Sequence, residues 1–140
     1  MTETRHRTAI AHDPGKGGLQ NLIAAGPARF VADQPIELGG LDLGPTPHEI
    51  VAAALAACTA QTLRVYAQRK AWPLDAVDVQ VTSVTDRAAV PVERFERRIV
   101  LGGDLDETQR ARLLEIAESC PIHRLLTNGA GISTAPGDVA

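Results

Sequence analysis

The 140-residue chain is the size of one ordinary domain, and we expect a single domain over residues 1–140. Its net charge of -3 argues against nucleic acid as the main partner. The sequence has no run of about 20 consecutive apolar residues and no secretory signal at its N-terminus, so we expect a cytoplasmic protein without a membrane partner. Aromatic residues make up only 3% of the chain, so small aliphatic side chains must form the core. A second subunit often completes such a core.

The first third of the chain is typical of short strands and turns. Residues 5–12 and 19–33 alternate in polarity and are interrupted by glycine and proline, which predicts short strands. The glycine-rich segment 35–45 lacks the spacing of a phosphate-binding loop, so its glycines are expected to serve turns.

A long helix is predicted from about residue 46 to residue 70. Thr46 is a suitable N-cap, Pro47 fits the first helical position, and Glu49 stands three residues after the cap, where it completes a capping box. The first half of the helix is apolar on nearly every side, which predicts a central, buried helix.

The second half of the chain alternates strands and helices. Residues 77–82 and 93–101 are predicted strands, and Arg94, Arg97 and Arg98 are expected on the exposed side of the second.

Residues 104–118 form an amphipathic helical pattern with acidic residues in the first turn. A short helix is predicted from Pro121, and residues 132–134 are expected to add a last strand. The predicted fold class is therefore α+β, with strands flanking a long central helix.

The two cysteines stand in contrasting sequence contexts. Cys58 lies among alanines in the long helix, which leave space beside its sulfur. Cys120 immediately precedes Pro121 and is predicted at the N-cap of the short helix, where unpaired N–H groups would lower its thiol pKa. The alternative is that both are small core hydrophobes. Their spacing is not that of a zinc site, and we expect no metal.

The cysteine segments resemble those of a known family. The stretch G-P-T-P-H-E-I-V-A-A-A-L-A-A-C-T-A around Cys58, and C-P-I-H-R-L-L beginning at Cys120, are similar to the OsmC/Ohr family of osmotically inducible and organic-hydroperoxide-resistance proteins. The resemblance extends from about residue 30 to the end. It implies an OsmC-like α+β fold that forms an intertwined homodimer with two active sites at the interface. It also implies that Cys58 is the peroxidatic thiol and Cys120 the resolving thiol.

The resemblance is weaker for the groups that activate the peroxidatic cysteine. Hydroperoxide reductases of the family keep a glutamate ten residues before it, where this chain has His48. Glu49 is expected to face away from Cys58, as a capping residue. His48 could lean toward Cys58 or be exposed. The family's arginine comes from the early strands, where Arg29 is a candidate without a clean match; Arg64 could act across a dimer or be solvated.

The resemblance implies a thiol-dependent peroxidase that reduces organic hydroperoxides through Cys58 and Cys120, without a cofactor. An external dithiol, of lipoyl type or a small thiol, would reduce the resulting disulfide. The alternative function is a redox-sensing or small-ligand-binding protein on the same scaffold.

Overall fold

The computed structural model describes residues 6–137, so residue 5 of the first predicted strand lies outside the described part. Within residues 6–137 the chain forms five strands, one 3-10 turn and three α-helices. In chain order these are β1 (Ala9–His12), β2 (Asn21–Ala25), β3 (Ala28–Ala32), the 3-10 turn (Ile36–Leu38), α1 (Pro47–Lys70), β4 (Ala76–Thr85), β5 (Glu93–Gly102), α2 (Glu107–Ala117) and α3 (Pro121–Asn128). The predicted α+β class is confirmed.

The chain divides into two compact units, one up to Val51 and one from Ala52 onward. In the first unit, β1, β2 and β3 form an antiparallel sheet in that order. The β2–β3 hairpin turns at Gly26, whose positive φ of 57° suits glycine. The predicted strands at 5–12 and 19–33 therefore correspond to three strands, because this turn divides the second segment.

A buried carboxylate organises the loop after β3. Asp33 accepts hydrogen bonds from Gln20 Nε2 at 3.0 Å and from the backbone N–H groups of Gln34, Leu41 and Leu43 at 2.8, 3.0 and 3.1 Å. Burial alone would raise the pKa of Asp33, but these four bonds outweigh it and lower the pKa.

Two glycines of this loop allow a close backbone approach, which goes beyond the predicted role in turns. A Cβ at Gly40 would overlap the carbonyl of Gln34, and one at Gly44 would overlap the carbonyl of Val31. Only a residue without a side chain fits these two positions.

Helix α1 begins as the sequence predicts. The backbone N–H of Glu49 donates to Thr46 Oγ1 at 3.1 Å, and the backbone N–H of Thr46 donates to Glu49 Oε1 at 3.2 Å. These reciprocal bonds form the capping box, and Pro47 takes the first helical position.

The prediction that the first half of α1 is buried is wrong for the single chain. Burial follows one stripe at helical spacing, formed by Ala52, Leu55, Thr59, Leu63 and Ala67. Ala53, Ala54 and Ala57, on other sides of the helix, are exposed.

Helix α1 is also long and apolar enough, by length and composition alone, to cross a membrane. Core helices of soluble proteins meet the same criterion, so this is weak support for a membrane span. The expectation of no membrane partner stays a prediction.

In the second unit, β4 and β5 pair along ten residues as an antiparallel hairpin, with Ala76 opposite Gly102 and Thr85 opposite Glu93. Its half-buried face packs with α1 and α2 around a core formed by Leu63, Ala67, Leu74, Leu105, Leu113 and Ala117. This core is aliphatic, as the composition predicts. Tyr66 and Trp72 lie at its margin, with their rings edge to face at 5.5 Å.

Helix α2 starts later than the pattern over 104–118 predicts. Asp106 has an extended backbone and accepts a hydrogen bond from the backbone N–H of Gln109 at 2.7 Å, while Gln109 Oε1 accepts from the backbone N–H of Asp106 at 3.0 Å. This capping box fixes Glu107 as the first helical residue, so Asp104 and Leu105 precede the helix.

Two further expectations are corrected. Residues 132–134 form no strand, because no described segment pairs with them, and Ile132 is 92% exposed. Arg97 does not lie on the exposed side of β5 with its neighbours: its side chain is only 12% exposed. Strand alternation places Arg97 on the same face as Phe95 and Ile99.

Candidate active site

The two thiols meet in the second unit, although 61 residues separate them in the sequence. Cys58 projects from the middle of α1, and Cys120 is the N-cap residue of α3, with Pro121 following it as predicted. Both cysteines are free, and their side chains are close enough to shift each other's pKa. The fold therefore joins the two residues that the sequence resemblance singles out.

The surroundings of Cys120 favour a thiolate. Burial by itself would raise its pKa, but the Cys58 thiol, the backbone N–H groups of His123 and Ile122, and the Thr59 hydroxyl face its sulfur; together they outweigh burial and lower the pKa. The two N–H groups belong to the first turn of α3, where the helix dipole also favours negative charge. The predicted lowering of the Cys120 pKa is confirmed.

Cys58 has the opposite balance. Burial raises the pKa of its thiol, and the neighbouring Cys120 acts in the same direction, against opposing effects from the Ile122 N–H and the Thr62 hydroxyl. Two adjacent sulfurs do not both ionise readily, so the pair is expected to lose its protons in two separate steps. Within the pair, Cys120 is therefore the thiol that ionises first, and Cys58 keeps its proton to higher pH.

An apolar groove opens beside Cys58. Its volume is about 460 Å³, and its walls include Val65, Tyr66, Ile116 and Pro121. Cys120 does not line it and is 0% exposed, whereas Cys58 is partly exposed. A molecule in the groove can therefore reach Cys58 but not Cys120.

A polar network lies against the same pair. Arg97 Nη1 donates to Thr59 Oγ1 at 3.0 Å, and Arg97 Nη2 lies 3.1 Å from His123 Nδ1. His123 Nε2 is 2.9 Å from Glu118 Oε2, and Arg97 Nη2 is 4.0 Å from the same oxygen. The network links β5, α1, α3 and the residue that follows α2.

The sequence also matches a protein family over residues 39–135, with the description "OsmC-like protein". The chain belongs to the OsmC-like protein family. The resemblance seen in the two cysteine segments is thus confirmed, and both cysteines lie inside the matched region. No curated protein matches the chain significantly.

Solved structures support the same fold. An OsmC-like protein from Mycoplasma pneumoniae superposes with a TM-score of 0.70 at 17% identity, covering 91% of this chain and 89% of that one. An organic hydroperoxide resistance protein from Legionella pneumophila superposes with a TM-score of 0.69 at 22% identity, covering 89% of this chain and 91% of that one. The organic hydroperoxide resistance protein OhrB of Bacillus subtilis superposes with a TM-score of 0.60 at 24% identity, covering 86% of this chain and 89% of that one. At these identities the likeness establishes the OsmC-like fold.

The candidate activating residues in the first unit have local roles. Glu49 forms the capping box with Thr46, as expected. His48 is exposed in the same turn of α1. Arg29 donates from Nη1 to the carbonyls of Gly26 and Ala28, at 3.0 and 2.8 Å, which tightens the β2–β3 turn. Roles for these residues in activating Cys58 stay predictions.

Arg64 lies in the second unit but bonds to the chain that follows its own helix. Its Nη1 donates to the Leu74 carbonyl, and its Nη2 donates to the Asp75 carbonyl at 3.1 Å. It is not among the groups that shift the pKa of Cys58. Its geometry is that of a residue that fixes the connection between α1 and β4.

The sequence interpretation missed Arg97, Thr59 and Glu118 as parts of the site. One signal was available for Arg97. In the predicted strand E-R-F-E-R-R-I-V-L, it stands two residues from each of the apolar residues Phe95 and Ile99, and therefore on the same strand face. A charged residue on an apolar strand face needs a buried partner. The sequence offers no comparable signal for Thr59 or Glu118.

Proposed function

We propose that this OsmC-like protein is a thiol-dependent peroxidase that reduces organic hydroperoxides. The observation that carries the proposal is the pair of adjacent free thiols, one of which lines an apolar groove. Relatives of the same fold are named organic hydroperoxide resistance proteins, which supports the choice of substrate class. The apolar walls favour an organic hydroperoxide over hydrogen peroxide.

Accessibility supports the division of roles within the pair. Cys58 contacts the groove, so it is the peroxidatic thiol that meets the substrate. Cys120 is fully buried and adjacent to Cys58, which suits a resolving thiol. These are the roles that the family resemblance implies.

The first step requires a proton transfer within the pair. The Cys58 thiol passes its proton to the Cys120 thiolate, and the Cys58 thiolate attacks the distal oxygen of the hydroperoxide. The O–O bond breaks with both electrons going to the leaving alkoxide, which takes the proton back from Cys120. The products are an alcohol, a sulfenic acid on Cys58, and a regenerated Cys120 thiolate.

The second step closes the disulfide. The Cys120 thiolate attacks the sulfur of the Cys58 sulfenic acid, an S–S bond forms, and hydroxide leaves. An external dithiol, of lipoyl type or a small thiol, then reduces the disulfide by thiol–disulfide exchange and is itself oxidised to a disulfide. Sulfur carries both electrons throughout, so the cycle needs no metal, flavin or haem. Such a reductant is available in the cytosol, where we place the protein; nucleic acid and membranes have no part in the cycle.

The proposal includes a homodimer, with an active site in each subunit. Ala53, Ala54 and Ala57 are exposed on α1, and Val65 is 44% exposed further along it. Such an apolar helix surface is typical of a contact between subunits, and small side chains permit close helix packing. Light scattering at micromolar concentration should give twice the 14.8 kDa chain mass. A folded species of 14.8 kDa would refute the dimer.

The decisive test is stopped-flow oxidation of the reduced protein by cumene hydroperoxide, with thiol loss as the readout. We expect rapid loss of two thiols per chain and the release of one cumyl alcohol. Hydrogen peroxide at the same concentration is the matched comparison and should react more slowly. If no thiol is lost within minutes, the protein is not a peroxidase, and the alternative of a redox sensor or ligand-binding protein replaces it.

A further inference from the structure

Arg97 occupies an unusual position for an arginine. It lies on the half-buried face of β5 between Phe95 and Ile99, and its side chain is only 12% exposed. Placing a guanidinium group in such a position costs free energy unless its donors are bonded. Its bonds therefore indicate what the position gains from an arginine.

These bonds determine which nitrogen of His123 carries the proton. Arginine can only donate hydrogen bonds, so His123 Nδ1, at 3.1 Å from Arg97 Nη2, must accept one. The proton of the neutral imidazole is then on Nε2, which donates to Glu118 Oε2 at 2.9 Å. The arrangement thus fixes the orientation of the His123 ring and holds Arg97 in one orientation.

The same reasoning applies to Thr59. Its Oγ1 accepts from Arg97 Nη1 at 3.0 Å and donates to the Leu55 carbonyl at 2.7 Å. The same hydroxyl lowers the pKa of the Cys120 thiol, so its hydrogen can turn from the carbonyl to the sulfur when Cys120 ionises. A cationic donor on the oxygen polarises the hydroxyl and strengthens the bond that it donates.

We propose that Arg97 is a positioning residue that stabilises the Cys120 thiolate through the Thr59 hydroxyl, while His123 and Glu118 hold its guanidinium in place. Its positive charge is permanent, since arginine does not lose its proton in proteins. Glu118 offsets that charge only in part, because its side chain is 67% exposed and its nearer contact is His123. Among the described residues, no other arginine or lysine makes a hydrogen bond to Thr59.

The inference deepens the proposed peroxidase cycle and rests on it for its kinetic consequence. In that cycle the Cys120 thiolate acts twice, once as the base that takes the proton of Cys58 and once as the nucleophile that closes the disulfide. Both steps depend on the fraction of Cys120 that is ionised. A loss of Arg97 should therefore slow both.

Polar and titratable groups surround Cys120 on several elements. The Cys58 thiol, the Thr59 hydroxyl and the first backbone N–H groups of α3 shift its pKa directly. Arg97 on β5, the His123 ring on α3 and Glu118 after α2 form the network that reaches Thr59. A pH titration of the intact pair measures the combined effect of all these groups on the ionisation of Cys120. A matched set of variants is needed to isolate the arginine.

The experiment titrates the reduced full-length protein with pH and follows the ultraviolet absorbance of the thiolate. In Arg97→Met we expect the first deprotonation of the pair to move up by about one pH unit. Arg98→Met is the control, because it removes the same charge from the neighbouring, exposed position of β5 and should titrate like the wild type. The proposal is overturned if the first deprotonation in Arg97→Met occurs at the wild-type pH, or if Arg98→Met shifts it equally.

Thr59→Val is a second test, should Arg97→Met fail to fold. It keeps the shape of the side chain and removes the hydroxyl. The first deprotonation of the pair should again occur at higher pH than in the wild type. Arg97→Lys should restore only part of the wild-type titration, since one ammonium group cannot reproduce the fork that joins Thr59 and His123. A wild-type titration curve for Thr59→Val would overturn the proposal.

The titration contains no hydroperoxide, so its outcome is independent of the peroxidase activity. Failure of the wild type to react with cumene hydroperoxide would refute the proposed function and leave the thiolate shift in Arg97→Met intact. A fast wild-type reaction together with an unshifted Arg97→Met would refute the role of Arg97 alone.

Discussion

The N-termini of α2 and α3 lie in the same unit but are built from different atoms. At α2, the Asp106 carboxylate and the Gln109 amide satisfy each other's backbone N–H groups in a capping box. At α3, the capping residue is Cys120, whose side chain makes no cap hydrogen bond of standard geometry. The N–H groups of Ile122 and His123 face its sulfur instead and lower its pKa.

The difference shows how one structural element serves two purposes. Oxygen acceptors at a helix N-terminus give stability, because they bind the free N–H groups firmly. A sulfur acceptor binds them weakly as a thiol and strongly as a thiolate, so the same N–H groups control its ionisation instead. We therefore expect substitutions at α2 to change stability and substitutions at α3 to change chemistry.

The largest expected effect comes from the two cysteines. Cys58→Ser should lower the rate of hydroperoxide reduction by at least about a hundredfold, because the attacking sulfur is lost. Cys120→Ser should still react once, more slowly because the base is missing, and should then hold a sulfenic acid on Cys58. Single-turnover kinetics with dimedone trapping and mass spectrometry measure both. Equal single-turnover rates for Cys58→Ser and the wild type would reverse the assignment.

The second effect is a pH dependence of stability at α3. The lowered pKa of Cys120 means that the unfolded chain binds more protons than the folded one between that pKa and the ordinary thiol value of 9.0. This contribution to the free energy of unfolding is complete above pH 9.0, and it is lost as the pH falls through the lowered pKa. The raised pKa of Cys58 acts oppositely, as the pH rises above 9.0.

Urea unfolding of the reduced protein at several pH values up to 9.0 tests this linkage. The difference in stability between the wild type and Cys120→Ser should grow as the pH rises toward 9.0. Cys58→Ser keeps Cys120 and its N–H partners, so it should retain a smaller rise. A difference that does not change with pH would mean that the first turn of α3 does not stabilise the thiolate.

A smaller, purely structural effect is expected at α2. Asp106→Ala removes the side chain that accepts from Gln109 N at 2.7 Å, which should cost about 1 kcal/mol of stability. Chemical denaturation measures the loss, and thiolate absorbance of the same variant should match the wild type. A shifted thiol titration in Asp106→Ala would remove the distinction between the two helix ends.

The smallest effect is expected at α1, the other helix with a capping box. Glu49→Ala loses the bond from Thr46 N at 3.2 Å, which should cost about 0.5 kcal/mol and leave Cys58 oxidation unchanged. His48→Ala is the matched variant, because His48 stands where the family's hydroperoxide reductases keep a glutamate. It should slow Cys58 oxidation at unchanged stability. A hundredfold slower oxidation in Glu49→Ala would identify Glu49 as the activating carboxylate.

Local sequence signals determined much of this protein. The capping box of Thr46 and Glu49, the N-cap position of Cys120 and the alternation in β4 and β5 depend on neighbours within a few residues, so the sequence shows them directly. The two cysteine segments also identify the family, because their pattern is specific.

Tertiary structure alone decided the rest. A strand at 132–134 could not be excluded locally, since strand formation depends on a partner elsewhere in the chain. The meeting of Cys58 with Cys120 needed the start of α3 to lie against the middle of α1. The contact of Arg97 with Thr59, across 38 residues, needed β5 to lie against the same helix. Which partner a buried arginine finds depends on where separate elements come together, and local periodicity carries no information about that.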